Sequence, residues 1–155
     1  MRHHLLFLGR EKESFLAAGI GEYAARLRHY AEVEITLLKE KPKANENEAA
    51  LTARQGEQLL AAIRPGAFVV ALDGSGQALS SLELAALVSR WEAHGVKTVS
   101  YLLGGPLGLA ANVLARADFR LSLSKMTFTH DMARLILLEQ LYRAYTIKAG
   151  EKYHK

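Results

Sequence analysis

The stretch Phe68-Val69-Val70-Ala71-Leu72 is apolar at every position. A strand with one wet face alternates apolar and polar side chains. A run without alternation is a strand covered on both faces, as in a parallel sheet between layers of helices. Residues 99–103 (VSYLL) repeat this character, and residues 3–8, 33–38 and 119–123 read as three further strands. Between and after them, helical patterns are predicted over 11–30, 49–63, from Ser80 or Ser81 through 92, over 109–117 and over 131–146. Residues 39–48 (KEKPKANENE) are charged, contain Pro42 and read as an exposed loop, and residues 73–76 (DGSG) read as a turn. The strict β-α alternation predicts one α/β domain over 1–155, a mainly parallel sheet flanked by helices. A chain of 155 residues is long enough for one sizeable core.

In open α/β sheets ligands collect beyond the carboxyl ends of the strands. Three loops stand there in this reading: 72–76, 103–108 and 123–129. The second reads Leu103-Gly104-Gly105-Pro106-Leu107-Gly108. It is not a Walker loop, because Leu and Ala follow Gly108 instead of Lys and Ser or Thr. It is not a dinucleotide fingerprint either, since its spacing is G-G-x-x-G and it lies late in the chain. Two readings stay open for it: a bare strand-to-helix turn, or a turn whose backbone approaches a ligand closely because no Cβ intervenes.

Composition narrows the chemistry. There is no Cys, which excludes disulfides and thiolate metal sites and fits a reducing compartment. The apolar run near the start spans residues 5–8, too short for a signal-peptide core or a membrane span, so a soluble cytoplasmic protein without membrane contact is expected. The formal net charge of +4 lies entirely beyond residue 118. There Arg120, Lys125, Arg134, Arg143, Lys148, Lys152 and Lys155 face only Asp131, Glu139 and Glu151. A polyanionic partner at this end is one reading and a solubilising basic tail the other.

The final helix is apolar on nearly every face. It is read as buried on two sides, between its own sheet and a second subunit, with a central helix of a monomer as the alternative. His130 stands at the junction into this helix, one turn before Arg134. It is a candidate for moving a proton or binding RNA, and equally for an ordinary hydrogen bond at a helix start. No metal-ligand spacing is present, and His3 and His4 point to opposite faces of one strand. A hydrolase reading lacks G-x-S-x-G.

Taken together, VVALDGSGQALSS, YLLGGPLGL and LSLSKMTFTHDMARLILLEQLYRAYTIKAGEKYHK resemble the RlmH family. These are SPOUT-superfamily methyltransferases acting on a pseudouridine of 23S ribosomal RNA. The resemblance runs over the whole chain and is strongest from Phe68 to Lys155. It implies a C-terminal trefoil knot, a homodimer and S-adenosylmethionine as cofactor, with no metal. It further implies that Leu72, Gly104 and Gly105 contact the cofactor, and that Leu123, Ser124, Lys125, Met126, Thr127 and Phe128 wrap its adenine and ribose by backbone contacts. The implied reaction is methyl transfer to N3 of a pseudouridine in a stem-loop of the large-subunit RNA on the assembled ribosome. Arg143, His154, His130 and Tyr153 are the catalytic candidates, and Arg134, Lys152 and Lys155 are assigned to the RNA. Thr129 stands where members often have Pro. The alternative is a non-catalytic ribosome-associated protein on the same scaffold. A generic nucleotide-binding module is disfavoured by the missing phosphate motifs.

Overall fold

The computed structural model describes residues 1–12, 14–41 and 43–155. The Pro42 reading therefore lies outside the described residues. Five strands alternate with five helices: β1 (Arg2–Leu8), α1 (Ser14–Leu27), β2 (Glu32–Leu38), α2 (Glu48–Ala62), β3 (Phe68–Ala78), α3 (Ser81–Ala93), β4 (Thr98–Leu103), α4 (Ala111–Arg116), β5 (Phe119–Ser122) and α5 (His130–Lys148). The order is the one the apolar runs predict. The ends shift by a few residues where local chemistry decides. Asn47 caps α2 by accepting from the Ala50 N–H at 2.8 Å. Ser80, not Ser81, caps α3 in a reciprocal capping box with Glu83.

The strands form one all-parallel sheet in the order β2-β1-β4-β3-β5. The period of two along β1 sends Leu5 and Phe7 into a core with α1, α3 and α5. It sends Leu6 and Leu8 into a second core, against Leu59 of α2 and Val113 of α4. The connections explain this division. Steps from β1 to β2 and from β3 to β4 run one way across the sheet, and those from β2 to β3 and from β4 to β5 run the other way. Right-handed crossovers then put α1 and α3 on one face and α2 and α4 on the other. Within the chain α5 packs between α1 and α3.

The reading of 73–76 as a plain turn needs correction. Leu121 of β5 pairs with both Leu72 and Gln77 of β3, so residues 73–76 bulge out of a strand that continues to Ala78. Arg120 holds the bulge by donating to the Asp73 carboxylate and to Ser75 Oγ. Gly76 is obligatory there, because a Cβ would sit 2.7 Å from the Arg120 carbonyl.

One polar network sits in the larger core. His3 is fully buried, with Tyr101 Oη at 2.9 Å from Nδ1 and Tyr145 Oη at 2.8 Å from Nε2. Tyr145 gives its one proton to Glu92 Oε1 at 2.8 Å, so its oxygen must accept from His3 Nε2. Nδ1 then accepts from Tyr101. Burial holds His3 neutral, with its pKa lowered to about 3.

Candidate functional site

A cavity of about 760 Å³ opens at the carboxyl end of the sheet, within the range of small-molecule sites. Leu8 and Leu103, the last residues of β1 and β4, and Leu72, the last residue of β3 before its bulge, form its floor. Gly104, Gly105 and Gly108 form one wall, and Thr127, Phe128, Thr129, His130, Asp131 and Arg134 another. The remaining rim is charged and carries Arg10, Lys12 and Glu40.

The glycine wall is a closed turn. The Gly108 N–H donates to the Gly105 carbonyl at 2.9 Å, spanning Pro106 and Leu107. Gly108 takes φ +81, a left-handed conformation that costs glycine little. A Cβ on Gly104 would meet the Gly108 backbone at 2.8 Å, so the turn closes only without a side chain there.

The opposite wall is the start of α5. Thr129 caps the helix, its Oγ1 accepting from the Met132 N–H at 3.3 Å. Its φ of −61 is one that proline also adopts, so Thr keeps the backbone shape and adds a cap. His130 lies half-buried in the rim. Burial, then the nearby Arg134 cation, lowers its pKa from the ordinary value, which favours the neutral, proton-accepting ring at neutral pH.

Arg134 is not on the surface that was expected to meet RNA. It is 2% exposed and reaches under the loop after β1. Its guanidinium donates to the Leu8 carbonyl and, at 3.2 Å, to that of Gly9. It also pairs with Asp131 at 3.3 Å and lies over the Phe7 ring. Asp131 in turn accepts the Lys12 N–H at 2.7 Å. With its donors turned to interior carbonyls, Arg134 shapes the cavity wall instead of contacting a phosphate.

Of the residues expected around the cofactor, Leu72, Gly104, Gly105, Thr127 and Phe128 converge on the cavity. Leu123, Ser124, Lys125 and Met126 are not among its lining residues. Ser124 is turned to its own loop, accepting from the Met126 N–H at 2.9 Å, and the Met126 side chain is 78% exposed. Sequence reasoning missed Gly9, Arg10, Lys12 and Glu40. They stand beyond the carboxyl ends of β1 and β2, so the rule that selected three loops applies to two more.

A second cluster lies at the other end of α5. Arg143 is held by Glu139 one turn back. Its guanidinium stacks over the Tyr153 ring at 4.6 Å and faces His154 Nδ1 at 3.5 Å. Arginine only donates, so in this arrangement His154 accepts through Nδ1 and carries its ring proton on Nε2. Tyr153 donates to Glu139 Oε1 at 3.0 Å, with Tyr23 Oη at 3.1 Å behind it. Burial and these hydrogen bonds push the Tyr153 phenol up, keeping it protonated. The C-terminal tail is thus tied down, with Glu151 accepting from Tyr30 Oη at 2.6 Å as a further anchor. Lys152 and Lys155 are exposed beside it.

At a rise of about 1.5 Å per residue, His130 and Arg143 are roughly 20 Å apart along α5. Among the described residues no group of three His, Asp or Glu could hold a metal ion, and no helix is long and apolar enough to cross a membrane.

A family model described as "Predicted SPOUT methyltransferase" matches residues 1–154. The chain is 59% identical over 155 residues to a protein of Desulfotalea psychrophila named "Ribosomal RNA large subunit methyltransferase H", with both chains covered completely. A protein of the same name from Symbiobacterium thermophilum is 47% identical over 161 residues, again with full coverage of both. Among solved structures, a probable methylase family protein from Haemophilus influenzae Rd KW20 superposes with a TM-score of 0.55 at 16% identity. That match covers 99% of this chain and 70% of the other and speaks to the fold alone.

Proposed function

The chain belongs to the SPOUT methyltransferases, among the proteins named ribosomal RNA large subunit methyltransferase H, and we propose that it methylates N3 of a pseudouridine in a 23S rRNA stem-loop on the assembled ribosome. The observation that carries this reading is the meeting of Leu72, Gly104, Gly105, Thr127 and Phe128 on one cavity. Their chemistry suits S-adenosylmethionine. The leucine floor, the Phe128 ring and the approachable glycine backbone fit an adenosine, and no phosphate motif is needed. In this reading Leu123, Ser124, Lys125 and Met126 close over the same ligand when the loop folds inward. When bound, S-adenosylmethionine supplies an electrophilic methyl group on its sulfonium.

The chain's own task is to position N3 and ease loss of its proton. Arg143 presents a permanent cation, aimed by Glu139 and backed by the Tyr153 ring, that favours negative charge developing at N3. Tyr153 stays protonated and acts as a platform, not as a base. His154 offers a donor at Nε2, and neutral His130 at the cavity rim is placed to accept a proton. Lys152 and Lys155 would meet RNA phosphates, which makes activity salt-dependent.

The 20 Å between His130 and Arg143 means that one chain cannot apply both clusters to one reacting nitrogen. A homodimer resolves this, with the tail cluster of one copy facing the cavity of the other. Exposed Met132 and half-buried Ile136 continue outward along α5 towards Arg143 and suit such a contact. The trefoil knot at the C-terminal end and a cytoplasmic location belong to the same reading.

The test is methyl incorporation into pseudouridylated ribosomes, located by mass spectrometry of the stem-loop. Ribosome binding without methylation would favour the non-catalytic alternative. The shared site has its own test. At S-adenosylmethionine concentrations that leave Gly104→Ala poorly loaded, mixing it with Arg143→Ala should give more activity than either protein alone, because half of the mixed dimers' sites are then intact. If mixing adds nothing, the shared site is refuted.

A further inference from the structure

The cavity has a half that the contacts above leave unused. Gly9, Arg10, Lys12 and Glu40 form it, from the loops after β1 and β2. These loops are held in place from below. Arg134 binds the Leu8 and Gly9 carbonyls, and Asp131 binds the Lys12 N–H, which leaves the Lys12 side chain uncommitted by that bond. Glu40 lies over Gly9, where a Cβ would come within 3.1 Å of its Oε2. Glu40 Oε1 is 3.4 Å from Gln55 Nε2. Gln55 is 5% exposed, packs directly behind Gly105, and its Oε1 finds no donor among the described residues. A buried amide thus links the carboxylate on the charged rim to the glycine wall.

Two cations and one carboxylate on one rim do not suit an RNA strand, whose phosphates Glu40 would repel. They suit a zwitterion. We propose that this rim is the amino-acid end of the cofactor site: Glu40 pairs with the α-ammonium of the methionyl part, and Lys12 and Arg10 with its α-carboxylate. The proposal rests on the methyl-donor reading of the cavity. The ligand has two chemical halves in the order the cavity has them. Adenosine lies against Leu72, Gly104 and Phe128, and the charged end lies against the β1 and β2 loops. Arg134 is then a positioning residue for that second half, acting through Leu8 and Gly9.

Calorimetry on the full chain separates the two halves with three probes. S-adenosylmethionine has both charges at the amino-acid end and a sulfonium. S-adenosylhomocysteine lacks the sulfonium charge, and 5′-methylthioadenosine lacks the amino acid. Loss of one charge-assisted pair by Glu40→Gln should weaken the first two about tenfold. Binding of 5′-methylthioadenosine should be unchanged. Lys12→Met should show the same pattern, and Lys12→Arg should restore binding. Equal affinity of Glu40→Gln and wild type for all three probes overturns the proposal, as does parallel loss of 5′-methylthioadenosine. Loss confined to S-adenosylmethionine also overturns it, because the carboxylate would then read the sulfonium. If the wild type binds none of the three, the methyl-donor reading itself falls, and this assignment with it.

Discussion

Each end of α5 carries an arginine beside an acid of its own helix: Arg134 with Asp131 three residues back, and Arg143 with Glu139 four back. The side chains of the first pair are 2% and 8% exposed, and those of the second 24% and 18%. At the first end the donors are turned to the Leu8 and Gly9 carbonyls, so the charge is absorbed in shaping a wall. At the second the guanidinium rests on Tyr153 and faces His154 at a half-open surface. The same pair of residue types serves structure at one end and is available to a substrate at the other. Burial makes the difference.

The sharpest way to break this comparison is Arg134→Ala. It removes the buried cation that pairs with Asp131 and holds the Leu8 and Gly9 carbonyls, which should cost about 3–5 kcal/mol of stability. Urea unfolding checks it, and a loss below about 1 kcal/mol would place Arg134 with the surface pairs. Arg143→Ala should do the reverse. Methyl transfer should fall about 100-fold while stability changes by less than about 1 kcal/mol. Full activity in that variant would end the catalytic assignment.

A pH titration sharpens the picture of the buried half of the molecule. His3 has a depressed pKa in the folded chain, about 3 against an ordinary value near 6.5. The unfolded chain therefore binds the extra proton first as pH falls. The stability carried by neutral His3 is intact above about 6.5 and declines below it, by up to about 1.4 kcal/mol per pH unit until pH approaches 3. The slope of unfolding free energy between pH 6.5 and 5 should flatten in His3→Gln. An unchanged slope would mean that His3 does not govern it. The mildest change is Gly104→Ala, whose methyl group would press on the Gly108 backbone at 2.8 Å. Affinity for S-adenosylmethionine should drop about tenfold as the turn opens to admit the methyl group. Unchanged affinity would separate this turn from the ligand.

Much of the fold was legible because its signals are local. Phe68–Leu72 and Val99–Leu103 announce buried parallel strands by their lack of alternation, and Ser80 with Glu83 announces a helix start. The turn at Gly104–Gly108 could also be read as a place where backbone can approach a ligand. Local pattern misled at Asp73–Gly76, since the residues of a turn and of a wide bulge are the same. What distinguishes them is β5, which pairs on both sides of the excursion.

By itself the sequence determined the order of elements, the parallel sheet and the family, because periodicity, caps and motif spacing are properties of neighbouring residues. The tertiary structure alone decided which charges matter and where. It buried Arg134 beneath a loop 125 residues earlier in the chain, set Glu40 beside Gly9, and folded Tyr153 and His154 back onto Arg143. Exposure and distance between residues far apart in the chain are set by packing, and packing leaves no periodic trace in the order of the amino acids.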